Sequence, residues 1–214
     1  MSHMIPVMLN AKGQTCYIIG GGKVAERKAA GLADSGASLV LISPTLTPGL
    51  QAMAEQKQLR WIARAYTAGD LQGAFLVFAA TNRPEVNEAV MREAHQMGIL
   101  VNRSDDATES TFISPSVLRR GRLTVSVSTD GAGPAVSRRI MARLAELWGP
   151  EYEEYLDFMA QVRQRVKETI PDSDTRARVL RGLAALELPE PSGSVEWKAA
   201  AEQVERWIAQ QLEG

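Results

Sequence analysis

The sequence predicts an α/β protein built on a doubly wound parallel sheet with a helical C-terminal region. Three observations predict it. Short runs such as Thr15–Ile19 (TCYII) and Phe75–Ala79 (FLVFA) are apolar on both faces, as strands covered by helices on each side must be. They alternate with segments of helical period, joined by short loops. A glycine run, Gly20-Gly21-Gly22, follows the first of these strands at once.

Each element has its own signal. Ser2-His3 ahead of Met4 resembles a cloning remnant, so residues 1–3 stay outside the fold. Met4–Leu9 is apolar and contains Pro6, which suits an edge strand or a strand start. Lys12-Gly13 is a turn, and Thr15–Ile19 is the first buried strand. Val24–Asp34 is a helix, with Val24, Ala25, Lys28, Ala29 and Leu32 on one face and Ser35-Gly36 at its end. Leu39–Ile42 is the second strand, stopped by Ser43-Pro44. Thr47–Glu55 is helical, Leu59–Ile62 is the third strand and Phe75–Ala79 the fourth. Pro84–Met97 is a helix, since Val86, Val90, Met91 and Ala94 recur near the helical period and Gly98 stops it. Ile99–Val101 is the fifth strand. The pattern changes beyond about residue 111. Phe112-Ile113 and Leu123–Val127 read as strands, and Gly131-Ala132-Gly133-Pro134 opens a helix running to about Trp148. Residues 152–170 form an amphipathic helix with Tyr152, Tyr155, Leu156, Met159, Val162, Val166 and Ile170 on one face. Pro171-Asp172 breaks it. Val179–Leu186 is a short helix, Pro189–Ser194 a linker and Val195–Leu212 a last helix.

Composition narrows the class of function. The 214 residues are 45% hydrophobic and 23% charged, which excludes a disordered or collagen-like chain. No apolar run is long enough to span a bilayer, and no signal peptide opens the chain. The single cysteine, Cys16, excludes a disulfide framework and a cysteine-rich metal site. Two histidines leave little for a histidine-based one. A net charge of −1 gives no overall pull toward nucleic acid or membrane. These values predict a soluble cytoplasmic protein whose chemistry is borrowed from a bound small molecule, with no metal held by the protein.

The motifs suggest which molecule. Gly20, Gly22 and Ala25 fit the G-x-G-x-x-G/A fingerprint in its proper place, after a strand and opening a helix. The first glycine permits the tight turn, the second lets backbone approach a pyrophosphate, and amides at the helix start face the phosphates. Lys23 and Val24 begin that helix. The end of the second strand has Ser43-Pro44 where an acidic residue is expected, and no arginine for a 2′-phosphate, so NAD is preferred over NADP. Ala80, Thr81 and Asn82 close the fourth strand with room for the nicotinamide half. Thr81-Asn82 equally suits a helix cap before Pro84. Asn102 and Asp105 follow the fifth strand. Asp105 can serve as a general base with its pKa raised by burial, or sit in a solvated Asp-Asp turn. Between 114 and 143 stand Arg119, Arg120, Arg122, Arg138, Arg139 and Arg143 against Asp130 alone, with Ser128 among them. That suits a multiply anionic ligand, or else solvated faces and dimer contacts. Cys16 reads as core and His95 as solvated.

In their order, GGGKVAERKA at 20–29, AATN at 79–82, N-x-x-D at 102–105, STFISPS at 110–116 and LTVSVSTDGAGPAVSRRIMARL at 123–144 resemble the precorrin-2 dehydrogenase and sirohydrochlorin ferrochelatase family. The resemblance covers roughly residues 4–170. It implies an NAD-binding Rossmann domain (1–113), a dimerisation segment (114–150) and a helical C-terminal domain (151–214). It implies NAD-dependent oxidation of precorrin-2 to sirohydrochlorin by a homodimer, with ferrous iron as a substrate in some members. It places the functional aspartate at Asp105 and nucleotide contacts at Gly22, Lys23, Ser43, Pro44 and Thr81. Ser128-Thr129-Asp130-Gly131 departs from the family's Ser-Ser-Gly-Gly at Thr129 and Asp130. A polycarboxylate substrate would suit the arginines, of which Arg119, Arg120 and Arg138 with Ser128 are the candidate contacts. The alternative is a non-catalytic, NAD(H)-responsive binding or redox-sensing module, favoured by a helical tail with no evident chemistry.

Overall fold

Strands form where Val, Leu, Ile and Phe run without interruption, because both faces of each strand become buried under helices. A computed structural model of the chain describes residues 4–106, 108–185 and 202–210. It divides into two units, Met1–Ser114 and Pro115–Gly214.

In the first unit β1 (Thr15–Ile19), β2 (Ser38–Ile42), β3 (Arg60–Ile62), β4 (Leu76–Ala79) and β5 (Leu100–Arg103) make one sheet in the order β3-β2-β1-β4-β5. All four pairings are parallel, with Ile19 beside Ile42 on one flank and Ala79 on the other. Helices α1 (Lys23–Leu32), α2 (Pro48–Glu55) and α3 (Pro84–Met97) complete it, with a 3₁₀ turn at Ala33–Ser35. The two faces build separate cores. Cys16, Ile18, Leu39, Leu41 and Phe78 pack with Ala25, Ala29 and Leu50 of α1 and α2. Ile19, Val40, Ile42, Val77 and Val101 pack with Val90, Met91 and Ala94 of α3. Neighbouring residues thus point to opposite cores, which is why no polar alternation marks these strands.

In the second unit β6 (Ser116–Arg120) and β7 (Leu123–Val127) form an antiparallel hairpin. Its two-residue loop carries Gly121 at φ +51°, the positive angle such a tight turn demands. Helices α4 (Pro134–Leu147), α5 (Glu151–Thr169) and α6 (Ser173–Ala185) follow, and residues 202–210 are helical. A third core joins Val162, Val166 and Ile170 to Val179, Leu183, Val204 and Ile208.

Four sequence expectations change. Met4–Leu9 is not a strand: Pro6 has no N–H to donate, and Ile5, Val7 and Met8 stay exposed. Phe112-Ile113 is not a strand either. Thr111 bonds the Val101 carbonyl, and Phe112 turns its ring edge-on to Phe78 at 5.2 Å, docking on the sheet rather than extending it. The hairpin strand is instead Ser116–Arg120, whose paired arginines hid it. Finally α6 starts at Ser173 rather than Val179, because the Asp172 carboxylate accepts the Thr175 N–H and caps the helix after the break. Residues 1–3, the 189–194 linker, Leu186 and both ends of the 195–212 helix lie outside the described residues. Among those described, no helix is long and apolar enough to cross a membrane.

Candidate functional site

A parallel sheet leaves a crevice where the chain leaves adjacent strands in opposite directions, at their carboxyl ends. Here that point lies between β1 and β4, and a cleft of about 750 Å³ opens there, an ordinary size for a cofactor site. Gly20, Gly22, Lys23, Val24, Ser43, Pro44, Ala80, Thr81 and Asn82 all line it.

The glycines divide the labour. Gly20 has φ +127°, and a Cβ on it would sit 2.4 Å from the Ala80 carbonyl, so only glycine lets the first turn pass under the end of β4. A Cβ on Gly21 would meet the Thr45 carbonyl and the Ser43 hydroxyl. Gly22 is different: it precedes α1, and a Cβ there would meet nothing within 4 Å. The open space before an α1 N-terminus that has no side-chain cap has the geometry that could seat a pyrophosphate. Ala25, fully buried, lets α1 sit close to the sheet. These features fit a dinucleotide. Ser43 is committed elsewhere, donating its hydroxyl to the Thr45 carbonyl at 2.8 Å, which leaves only lone pairs for a ribose hydroxyl.

Asn102 lies apart from the cleft. Its side chain faces α1, where Oδ1 accepts from the Lys28 ammonium and Nδ2 donates to the Phe112 carbonyl. Asp105 does not line the cleft but is tied to its wall. Its Oδ1 accepts from Arg103 Nε at 3.0 Å and from Asn87 Nδ2 at 2.9 Å, and Oδ2 accepts from Arg103 Nη2 at 3.1 Å. The Arg103 guanidinium, only 11% exposed, also holds Glu88 at 2.7 Å. These bonds correct the expected pKa of Asp105. The arginine, outweighing partial burial and aided by the Asn87 amide, holds the carboxyl below its usual range. The carboxylate is therefore an ionised acceptor rather than a proton-bearing acid at neutral pH.

Asn87 went unrecognised in the sequence. It stands on the inner face of α3 with Val90, Met91 and Ala94, and it is fully buried. A polar residue on an otherwise apolar helical face was the available signal. Stranding its amide there would cost about 1–3 kcal/mol per unmade bond, so its partners are structurally required. They are Thr81, through backbone and hydroxyl, and Asp105. Thr81 does not cap α3 by side chain; Arg83 holds the capping position.

The arginine-rich segment lies in the second unit. Arg119, on β6, and Arg138, on α4, are exposed. Arg120 is half-buried and donates to the carbonyls of Trp148 and Arg119. Ser128 accepts the Asp130 N–H, a turn that lets Asp130 adopt φ +49°. Among the described residues no group of His, Cys, Asp and Glu could hold a metal ion.

A family model described as "Putative NAD(P)-binding" matches residues 7–116. The chain is 38% identical over 204 residues to a siroheme synthase of Chromobacterium violaceum, covering 95% of this chain and 43% of that one. It is 38% identical over 163 residues to siroheme synthase 1 of Aeromonas salmonicida, covering 76% of this chain and 35% of that one. The chain thus spans less than half the length of these curated relatives. Among solved structures it resembles "SirC, precorrin-2 dehydrogenase", with a TM-score of 0.78 and 26% identity, covering 95% of this chain and all of that one.

Proposed function

The chain belongs to the NAD(P)-binding family through residues 7–116, and from that premise we propose that it oxidises precorrin-2 to sirohydrochlorin with NAD in siroheme synthesis. The observation that carries this reading is the glycine-cradled cleft with an ionised Asp105 fixed at its wall. The whole-length likeness to a precorrin-2 dehydrogenase supports it.

When bound, NAD supplies a nicotinamide that accepts hydride from the macrocycle. The protein's part is positional. Gly22 and the start of α1 seat the pyrophosphate, and Ala80, Thr81 and Asn82 leave space beyond it. The end of β2 carries no arginine for a 2′-phosphate, which favours NAD over NADP. Asp105 takes the proton that leaves as hydride departs, at Oδ2, the oxygen with fewer partners. Arg119, Arg120 and Arg138 with Ser128 hold the substrate's carboxylates. Ferrous iron, where it enters, is a substrate whose nitrogen ligands the macrocycle provides. We place the chain in the cytoplasm as a homodimer assembled through residues 114–150. Exposed Val117, Val136, Ile140 and Leu147 in that segment support this.

The test is to mix the purified protein with precorrin-2 and NAD and follow NADH absorbance. NADH is expected with wild type. Asp105→Ala should reduce turnover about 100-fold or more, the usual worth of a positioned base, while the chain still folds, with a melting temperature lowered by the bonds lost to Asn87 and Arg103. Full activity in the variant would refute the role of Asp105. NAD binding without turnover would favour the sensing module. Because Arg103 holds Asp105 ionised, the acid limb of the wild-type rate profile should lie below the ordinary aspartate range.

A further inference from the structure

An asparagine inside a helix is poorly placed by intrinsic preference, and a fully buried one needs every polar atom satisfied. Asn87 meets this demand with two partners only, and both belong to the site. Its Oδ1 accepts the Thr81 N–H at 3.1 Å and the Thr81 hydroxyl at 2.7 Å. Its Nδ2 donates to the Thr81 carbonyl at 3.1 Å and to Asp105 Oδ1 at 2.9 Å. One planar amide therefore grips both the turn that lines the nucleotide cleft and the carboxylate beside it. A displacement of Thr81 cannot leave the plane of this amide unchanged, because three of the four bonds run to Thr81.

We propose that Asn87 is a positioning residue that couples occupancy of the nucleotide cleft to the orientation of the Asp105 carboxylate. The inference rests on the dehydrogenase reading above. Arg103 on β5 also faces Asp105, with Glu88 of α3 on its far side and Asp106 next in the chain. Arg103 binds both carboxylate oxygens, whereas Asn87 binds Oδ1 alone. The amide thus selects which oxygen is held from the cleft side and leaves Oδ2 to receive the proton.

Asn87→Asp is the discriminating change, because it is nearly isosteric. The new carboxyl still accepts from Thr81 but no longer donates to the Thr81 carbonyl, and its single O–H donates to Asp105 only when protonated. NAD affinity should change little. Turnover at pH 8 should fall about tenfold, a typical loss for a mispositioned group, and should recover as pH is lowered and the donor is restored. An alkaline limb absent from the wild-type profile is the signature. A second measurement needs no turnover: the Asp105 carboxyl carbon resonance, followed by NMR, should shift when NAD is added to wild type. That shift should be lost in Asn87→Asp at pH 8. If wild type oxidises precorrin-2 while the variant's pH profile runs parallel to it and the resonance shift persists, Asn87 serves the fold alone and the proposal is overturned. If wild type shows the NAD-dependent shift but no oxidation, the coupling stands and the dehydrogenase reading fails.

Discussion

At the scale of single residues, glycines two positions apart have separable roles. Gly20 sustains φ +127° against the Ala80 carbonyl, while Gly22 faces open space at an ordinary φ of −88°. Gly20→Ala should therefore lower stability by about 1–3 kcal/mol from backbone strain alone, before the clash is counted. Gly22→Ala should leave the melting temperature within a degree or so and weaken NAD binding about tenfold, since the new methyl takes the pyrophosphate's space. Calorimetry and titration of both variants check the split. Equal losses in both would mean that Gly22 supports the turn and not the ligand. The spacing of G-x-G-x-x-A was legible without a structure, but the division of roles was not, because it depends on Ala80, which lies 60 residues away in sequence. Asn87 shows the same limit. Its place on the apolar face of α3 was readable, whereas its link to Asp105 needed β4 and β5 side by side.

At the scale of elements, Lys28 ties three segments together. Its ammonium reaches Asn102 of β5 at 3.1 Å and Ser114 at 2.9 Å, and lies over the Phe78 ring of β4 at 4.8 Å. None of these partners is a carboxylate, so no opposite charge offsets the loss of water. Burial first, and then nearby Arg27, bring its pKa down to about 8. The unfolded chain holds this proton to about 10.4, so between these values the unfolded state binds more protons than the native one. Stability contributed by this group then rises with pH across that window. The melting temperature of wild type relative to Lys28→Met should increase from pH 8 toward pH 10. A difference that stays flat would show that Lys28 keeps its proton in the fold. From sequence, Lys28 was one position on a helical face. Its neighbours became visible only when the 110–114 segment was seen folded back along β5.

At the scale of the whole molecule, the two units have separate cores. Both cores of the parallel sheet lie inside Met1–Ser114, and among the described residues the third draws on α5, Ile170 just after it, α6 and the 202–210 helix. A fragment of residues 1–114 should thus unfold cooperatively and bind NAD. On the proposed reading it should sediment as a monomer and fail to oxidise precorrin-2, whereas the full chain sediments as a dimer. Turnover by the fragment would remove the arginine-bearing segment from the site. The −1 net charge of the chain conceals a local alternation within the second unit, where the arginines from Arg119 to Arg143 precede an acidic run from Glu146 to Asp157.

Parallel strands, α3 and the glycine turn after β1 were legible in the sequence because each depends on local pattern: continuous apolar runs, a 3.6-residue period, and glycines after a strand. The hairpin strand Ser116–Arg120, the docked Phe112 and the low pKa of Asp105 were not. Phe112 docks on Phe78, distant in the chain, whereas the hairpin strand pairs with β7 across a two-residue turn and Asp105 is held first by Arg103, two residues before it; none of these pairings leaves a periodicity behind. The sequence supplied the carboxylate and the cleft. Only the folded chain placed Arg103 and Asn87 around that carboxylate, and those contacts set its charge and its orientation.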